Sequence, residues 1–321
     1  MAGGPSTPEL AGAVGEAGAF GFVAGAYLAP DALRQALDRT RALSSAPIGV
    51  NLFVPSPRDV DVEAIARYAE ELAPEAERFG VAMGEPRWED DAFDAKVDLL
   101  VSAGVHLVTF TFGVPPSEVV ARLQRAQALV GVTVTSAAEA DTAAAVGADL
   151  VVVQGAEAGG HQGVLDPAEP NGTPLAAALD EVGRLGLPMI AAGGIMSAAD
   201  VRAVLDAGAV AAQVGTALLC TPEAATSDVH RRALLEARYA DTVVTRAFSG
   251  RWARGLANRF ALEHPDAPSG YPQVHHLTRP LRTAAVAAGD ADVPNLWAGT
   301  GWREVRAEPA ADVVRRLTTG L

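Results

Sequence analysis

The chain has 321 residues, of which 49% are hydrophobic and 20% charged, which is enough for one large domain with a full core, with or without a smaller one. Its 25 basic and 39 acidic side chains give a net charge of −14, so a nucleic-acid partner is not expected. The single cysteine, Cys220, excludes an internal disulfide and a cysteine-based metal cage, and no apolar stretch reaches the roughly 18 residues of a membrane span.

Seven short apolar runs predict strands, and they alternate with helical patterns along the chain. The runs cover residues 19–23, 48–53, 106–110, 130–135, 150–154, 188–192 and 210–215. Helix starts are indicated at Thr7, Ser136 and Ser197, where a hydroxyl that can cap a helix precedes an acidic residue of the first turn. This alternation of strand and helix predicts an α/β fold with a parallel sheet.

A repeated pattern favours a closed barrel over an open sheet. Ser136-Ala-Ala-Glu leads to Gly147, and Ser197-Ala-Ala-Asp leads to Gly208 at the same spacing, each time before a strand. Two equal steps of this kind favour a (β/α)8 TIM barrel. Because the residues before the first helix resemble a strand end and a loop, we expect a truncated first strand. Either translation starts upstream of Met1, or something else closes the barrel.

Lys96 is the only lysine of the chain. It falls in the helical pattern of residues 92–101, so we expect it on an exposed helix face. A Schiff-base aldolase needs a desolvated lysine, and its chemistry is therefore not expected. Cys220 is expected to be a small core residue. Since the N-terminus also lacks the pattern of a secretory signal, a cytoplasmic protein is the simplest expectation.

The pattern changes from residue 249 onward. A Pro/Gly-rich loop is followed by a long helical stretch, a turn at residues 297–301 and a final helix. We therefore expect a barrel over residues 1–248 and a helical cap over residues 249–321 that packs on one end of it.

The loop after the fifth predicted strand carries the strongest candidate for chemistry. It reads Gln154-Gly-Ala-Glu-Ala-Gly-Gly-His-Gln-Gly163, and α/β barrels place chemistry at such strand ends. Gly155 and Gly160 let the backbone approach a flat or anionic ligand, and His161 can exchange a proton near neutral pH. We predict a catalytic His161, with donation to a loop carbonyl as the structural alternative. Gln154 either presents its amide to a ligand or ties down the loop.

Two small-residue loops follow the last two predicted strands. Gly193 and Gly194 stand in the first loop, and Gly215 and Thr216 stand in the second. The corresponding loops of many barrels bind a phosphate through backbone N–H groups and a helix N-terminus. We predict a phosphate site here, and two tight turns without a ligand are the alternative.

A few further residues are compatible with a ligand site. Asn51 ends the second predicted strand, where it either contacts a ligand or forms an Asx turn before Pro55. His275 and His276, with Tyr271, either line a pocket from the cap or begin an exposed helix. The histidines form no metal-binding set, so no metal site is predicted.

Together these residues resemble the nitronate monooxygenase family, formerly called 2-nitropropane dioxygenase. The likeness spans nearly the whole chain, and Glu-Ala-Gly-Gly-His-x-Gly at residues 157–163 is its most specific part. It also includes residues 191–194, Gly215-Thr216, Asn51 and the N-terminal Met-Ala-Gly-Gly.

The resemblance implies an FMN-dependent barrel. The FMN phosphate is expected at Gly193, Gly194, Gly215 and Thr216, and the rest of the cofactor near Ala2, Gly3, Asn51, Gln154, Gly155 and Gly160. His161 then deprotonates a nitroalkane or holds an alkyl nitronate, and O2 completes the conversion to a carbonyl compound and nitrite. The implied partners are thus a small nitro compound and O2, and the chain is expected to be a monomer or a homodimer.

Two positions depart from the family pattern. Some members carry a histidine where this chain has Thr111, and several carry a glutamine where it has Thr300. A second pocket base is therefore not implied, and the contacts made by the cap are expected to differ.

Other functions fit the same scaffold. An NAD(P)H:quinone reductase or a flavin-type enoyl-thioester reductase shares the fold and the phosphate loops, and a non-catalytic binder of a phosphate ligand needs only the loops. Rapid reduction of bound flavin by NAD(P)H would identify a reductase, whereas a nitronate monooxygenase is expected to be reduced slowly or not at all. A flavin-free protein would favour the binder.

Overall fold

Ten strands and twelve α-helices are present in the computed structural model, which describes residues 1–321. The strands are β1 (Gly21–Ala24), β2 (Ile48–Phe53), β3 (Leu107–Thr111), β4 (Leu129–Val134), β5 (Leu150–Gln154), β6 (Gly160–His161), β7 (Met189–Ala192), β8 (Ala211–Gln213), β9 (Thr242–Thr245) and β10 (Ala253–Leu256). The helices are α1 (Pro8–Glu16), α2 (Pro30–Leu43), α3 (Val62–Arg78), α4 (Phe93–Ala103), α5 (Ser117–Arg125), α6 (Ala137–Ala145), α7 (Leu175–Gly183), α8 (Ala198–Asp206), α9 (Asp228–Leu235), α10 (Arg259–Glu263), α11 (Gln273–Ala287) and α12 (Ala310–Leu317).

Seven strands form one parallel sheet in the order β1-β2-β3-β4-β5-β7-β8. All seven predicted strands are confirmed, and each predicted end lies within two residues of the observed one. Neighbours in the sheet follow one another along the chain with helices between them, so the fold is TIM-barrel-like, as predicted. In the register of the sheet, Asn51 of β2 lies opposite Thr109 of β3.

Local side chains explain where three helices begin. The Thr7 hydroxyl accepts a hydrogen bond from the amide of Leu10, and Ser136 caps α6 in the same way. Ser197 and Asp200 form a reciprocal capping box at α8. Each of the three predicted helix starts is confirmed, and such a cap typically stabilises a protein by about 1 kcal/mol.

A second, antiparallel sheet is absent from the sequence prediction. It has the strand order β6-β10-β9, and it pairs His161 with Ala253. Because β6 has only two residues, it carries no periodic signal that a sequence pattern can reveal. The sheet attaches the loop that bears His161 to a segment about 90 residues away along the chain.

The residues after 249 belong to three different hydrophobic clusters, one of which contains Leu256, Leu296 and Trp302. Leu277 of α11 and Phe260 of α10 pack with Ile65 of α3. Val313 of α12 packs instead with Leu10 of α1, in the cluster formed by the barrel wall. The division into a barrel over residues 1–248 and a cap over residues 249–321 stays a prediction.

The expectation that Lys96 is exposed is wrong. Its side chain is 1% exposed, and its Nζ lies 2.7 Å from Asp91 Oδ2. Lys96 lies three residues after Phe93 and four before Leu100, so it lies on the helix face that α4 packs into the core. Burial lowers the pKa of Lys96 and raises the pKa of Asp91, and the ion pair opposes both shifts. Because Lys96 is buried, its expected exposure no longer provides an argument against Schiff-base chemistry.

Cys220 is 1% exposed and belongs to a hydrophobic cluster, so its predicted role in the core is confirmed. None of the helices combines the length and the apolar character that crossing a membrane requires.

Candidate active site

One ring nitrogen of His161 is hydrogen-bonded within the protein, and the other is not. Its Nε2 lies 2.8 Å from Ser249 Oγ, whereas its Nδ1 makes no hydrogen bond within the protein. The backbone of His161 is fixed by pairing with Ala253 and by the Gln154 side chain, whose Nε2 donates to the His161 carbonyl at 3.2 Å. One ring nitrogen is therefore available to a ligand in a fixed position.

Aromatic rings surround this imidazole. The ring centres of Phe112 and Trp297 each lie 5.4 Å from that of His161, and the ring of Tyr271 lies 5.9 Å away. These rings come from separate parts of the chain, and they shield the half-buried imidazole from much of the solvent. A low dielectric around His161 favours its neutral form.

Arg251, which is buried, and Arg282, which is half-buried, add positive charge near His161, and neither forms an ion pair with a carboxylate. Arg251 donates to the Val164 carbonyl, and Arg282 donates to Asn295 Oδ1 at 2.7 Å. Burial, followed by the charges of these two arginines, lowers the pKa of His161 to about 3. The imidazole is therefore neutral at physiological pH, and the arginines favour an anion beside it.

The start of α11 lies against the barrel and is not exposed. The Tyr271 hydroxyl donates to the Tyr27 hydroxyl at 3.1 Å, and the ring of His275 stacks on that of Tyr27 at 4.7 Å. His276 is 5% exposed, and its Nε2 lies 3.1 Å from Glu89. The sequence left open whether this helix start lines a pocket or is exposed. Tyr271 fits the first alternative, because its ring lies beside that of His161.

Gln154 ties down its own loop. Besides donating to His161, its side chain accepts a hydrogen bond from the amide of Gly163 at 2.7 Å. Gly155 has no room for a side chain, because a Cβ there would lie 2.5 Å from Leu175 Cβ. Gly160 has a φ of 78°, a left-handed conformation that favours glycine.

Asn51 belongs to a polar network at the ends of the strands. Its Nδ2 donates to the hydroxyls of Thr109 and Thr111, each 3.0 Å away, and Thr111 contacts Thr133 at 3.1 Å. No group of the protein donates to Asn51 Oδ1, so the Asx turn before Pro55 is not formed. The amide is thus oriented by threonines, and its oxygen is free for a ligand.

The predicted phosphate loops present unused backbone donors. The amides of Gly193, Gly194, Gly215 and Thr216 donate no hydrogen bond within the protein. Gly193 and Gly194 have φ values of 119° and 71°, which other residues rarely adopt. Four free N–H groups at neighbouring strand ends are the donor set that a phosphate requires.

The turn at residues 297–301 and the N-terminus both reach these loops. The amide of Gly299 donates to Thr216 Oγ1 at 3.0 Å, and a Cβ placed at Gly215 would lie 3.5 Å from the side chain of Met1. A Cβ at Gly3 would lie 4.0 Å from Tyr27. The first residues of the chain, including Ala2 and Gly3, therefore run between Tyr27 and the second phosphate loop.

Sequence reasoning did not identify several residues that surround His161. Ser249, Tyr27, Arg282 and Trp297 all contact His161 or its neighbours, and they come from separate segments. Only Ser249 carries a local signal, since it precedes Gly250, whose φ of 76° marks a tight turn. The other contacts depend on the way in which distant segments pack.

The family model and two relatives that are similar in sequence agree on one family. The family model described as nitronate monooxygenase matches residues 1–320. A nitronate monooxygenase of Pseudomonas aeruginosa is 38% identical over 331 residues, covering 99% of this chain and 93% of the relative. A probable nitronate monooxygenase of Bacillus subtilis is 36% identical over 316 residues, covering 96% and 90%.

Two solved structures are also similar. A crystal structure of nitroalkane oxidase from Streptomyces ansochromogenes matches with a TM-score of 0.95 and 48% identity, covering 99% of this chain and 92% of that chain. FabK from Thermotoga maritima matches with a TM-score of 0.76 and 27% identity, covering 99% and 89%.

Proposed function

This chain belongs to the nitronate monooxygenase family and is an oxidoreductase, and on this premise we propose that it binds FMN and converts alkyl nitronates, with O2, to carbonyl compounds and nitrite. Neutral nitroalkanes are substrates once a proton has been removed from the carbon that bears the nitro group. His161 is the catalytic residue of this proposal, and it acts either as the base or as the group that holds the nitronate.

The observation that carries the proposal is the neutral imidazole of His161 with one nitrogen on Ser249 and the other free. A neutral imidazole can accept the α proton of a nitroalkane, and the surrounding aromatic rings limit the access of water that would compete for it. The positive charges of Arg251 and Arg282 favour the nitronate anion that results.

The residues of the site fit FMN. The free amides of Gly193, Gly194, Gly215 and Thr216 can hold its phosphate, and Asn51 offers its free Oδ1 to a ring N–H. Ala2, Gly3, Gly155 and Gly160 contribute backbone, and Gln154 contributes through the loop that it orders. When bound, FMN supplies the redox chemistry that no side chain of the protein provides.

The visible spectrum of the purified protein tests this proposal. A flavin spectrum that is bleached anaerobically by an alkyl nitronate, and not by NADH, supports it. Bleaching by NADH alone would instead indicate a quinone or enoyl-thioester reductase. A colourless protein that takes up no FMN would overturn the assignment of the cofactor, and release and mass analysis of the bound flavin would distinguish FMN from other flavins.

A further inference from the structure

Ser249 lies in a tight turn before β10 and directly contacts the candidate base. It is 2% exposed, and its Oγ lies 2.8 Å from His161 Nε2. The same oxygen donates to the Arg251 carbonyl at 3.3 Å and accepts from the Arg251 amide at 3.4 Å. We propose that Ser249 is a positioning residue that keeps the proton of the neutral His161 on Nε2, so that Nδ1 is the atom that removes the α proton of a neutral nitroalkane. This inference rests on the proposed function.

The hydrogen-bond capacity of a serine hydroxyl supports this assignment. The hydroxyl has one proton to donate and two lone pairs to accept with. When the proton goes to the Arg251 carbonyl, the two lone pairs remain for the Arg251 amide and for an N–H of His161. All the hydrogen bonds of the buried hydroxyl are then satisfied, and His161 Nε2 must carry a proton.

The opposite tautomer leaves a buried group without a partner. If Ser249 donated its proton to His161 Nε2, the carbonyl of Arg251 would receive no hydrogen bond, because no other group donates to it. Arg251 is 2% exposed, so water cannot easily replace the missing donor. An unsatisfied buried carbonyl is costly, and the tautomer with the proton on Nε2 is therefore favoured.

The turn that carries Ser249 is tightly packed and hydrogen-bonded. Gly250 has a φ of 76°, and a Cβ at this position would lie 2.8 Å from the backbone of Gly270. The amide of Gly250 donates to the Arg246 carbonyl at 2.8 Å, and its own carbonyl accepts from the amide of Gly270 at 3.1 Å. Only glycine fits where the backbone segments of Gly250 and Gly270 meet. This close packing fixes the position of the neighbouring Ser249 hydroxyl.

The proton transfer follows from this tautomer. The α C–H bond of the nitroalkane breaks, its proton passes to His161 Nδ1, and its electron pair forms the C=N bond of the nitronate. The imidazolium that results keeps its Nε2–H on Ser249 Oγ. A preformed nitronate has already lost this proton, so its turnover does not require the Nε2–H tautomer.

Paired substrates test the role of Ser249 in the flavin-loaded enzyme. We expect Ser249→Ala to lower kcat/KM for nitroethane about tenfold, which corresponds to the loss of one buried hydrogen bond. The same variant should change kcat/KM for ethyl nitronate by less than about twofold. Ser44→Ala is the matched control, because Ser44 is also buried but caps a backbone amide elsewhere. Ser249→Cys, which keeps a weak donor and acceptor, should recover part of the loss. An equal loss on both substrates would overturn the inference.

A second measurement does not depend on turnover. Long-range ¹H–¹⁵N spectra of histidine-labelled enzyme report which ring nitrogen is protonated, and His161→Gln identifies the signals of His161. We expect the Nε2–H form in the wild type and a mixture in Ser249→Ala. A proton on Nδ1 in the wild type would refute the positioning role. The Nε2–H form in a protein that oxidises neither substrate would instead refute the proposed function and leave the positioning role intact.

Discussion

The guanidinium of Arg251 lies 4.2 Å from the ring centre of Phe112, and the same ring meets the imidazole of His161 edge-on. A buried cation and the candidate base thus contact the same aromatic ring. Arg251 lowers the pKa of His161, second only to the effect of burial. This arrangement keeps the imidazole neutral and adds positive charge where an anion forms.

The first prediction concerns pH dependence. Because the pKa of His161 is lowered to about 3, protonation of this group should not reduce kcat/KM for nitroethane between about pH 5 and 8. Arg251→Met removes a charge that lowers this pKa, so the pKa rises and the acidic limb of the pH profile should move to higher pH. The exposed Arg315→Met is the control and should leave the limb in place. A limb that is unmoved in Arg251→Met would contradict this account.

The second prediction concerns His161 itself. His161→Ala should retain flavin, because the side chain makes no contact with the phosphate loops, and should lose at least ~10²-fold in kcat with nitroethane. Steady-state oxygen consumption measures the loss, and the flavin absorbance per protein checks the loading. Unchanged turnover would remove His161 from the mechanism.

The third prediction concerns the phosphate loops. Gly194→Asp should lower the ratio of FMN to protein, because it places a negative charge in the loop and a Cβ 3.0 Å from that of Glu157. Gly186→Asp is the matched control, since Gly186 has a similar φ of 76° and a Cβ there meets nothing within 4 Å. Absorbance after gel filtration measures the ratio. Full occupancy in Gly194→Asp would mean that the phosphate lies elsewhere.

The fourth prediction concerns the buried ion pair of Lys96 and Asp91. Lys96→Met leaves the Asp91 carboxylate partly buried and unpaired, and should lower the free energy of unfolding by roughly 2–3 kcal/mol. Lys96→Met combined with Asp91→Asn should recover part of this loss. Arg184→Met breaks an exposed pair with Asp180 and should cost less than about 0.5 kcal/mol. Urea unfolding monitored by circular dichroism gives the three values, and equal costs for the two single variants would count against a structural role for Lys96.

The fifth prediction concerns stability in acid. Burial lowers the pKa of His230 to about 4 and the pKa of His275 to about 2, and both histidines regain their ordinary pKa near 6.5 when the protein unfolds. The unfolded state therefore binds more protons below about pH 6.5, and stability should fall as the pH decreases from that value. Thermal unfolding between pH 7.5 and 5 measures the slope. His230→Gln cannot take up this proton, and its Tm should depend less on pH than that of the wild type.

Much of the fold was predictable because its signals are local. β-branched runs predicted the seven strands of the parallel sheet, and Thr7, Ser136 and Ser197 predicted helix starts through contacts made within four residues. The small-residue loops were predictable for a similar reason. A glycine such as Gly194 marks a backbone conformation that other residues rarely adopt, whatever packs around it.

The position of Lys96 shows where local reasoning fails. Its helical spacing was correctly identified, but the sequence does not say which face of α4 meets the core. A lysine is rarely buried unless it is paired, and its partner Asp91 lies outside the helix in a left-handed turn that no sequence pattern predicted. The ion pair that reverses the usual preference is therefore visible only in the folded chain.

The sequence by itself determined the strands, the helix starts and the loop glycines, and it led to the prediction of His161 as the base, because each depends on residues within a few positions of one another. Tertiary structure alone decided the environment of that base. Ser249 lies 88 residues from His161 along the chain, and Arg282 and Trp297 lie further still. Which nitrogen of His161 is free, and how strongly its protonation is opposed, depends on hydrogen bonds, burial and charges from segments that only folding brings together.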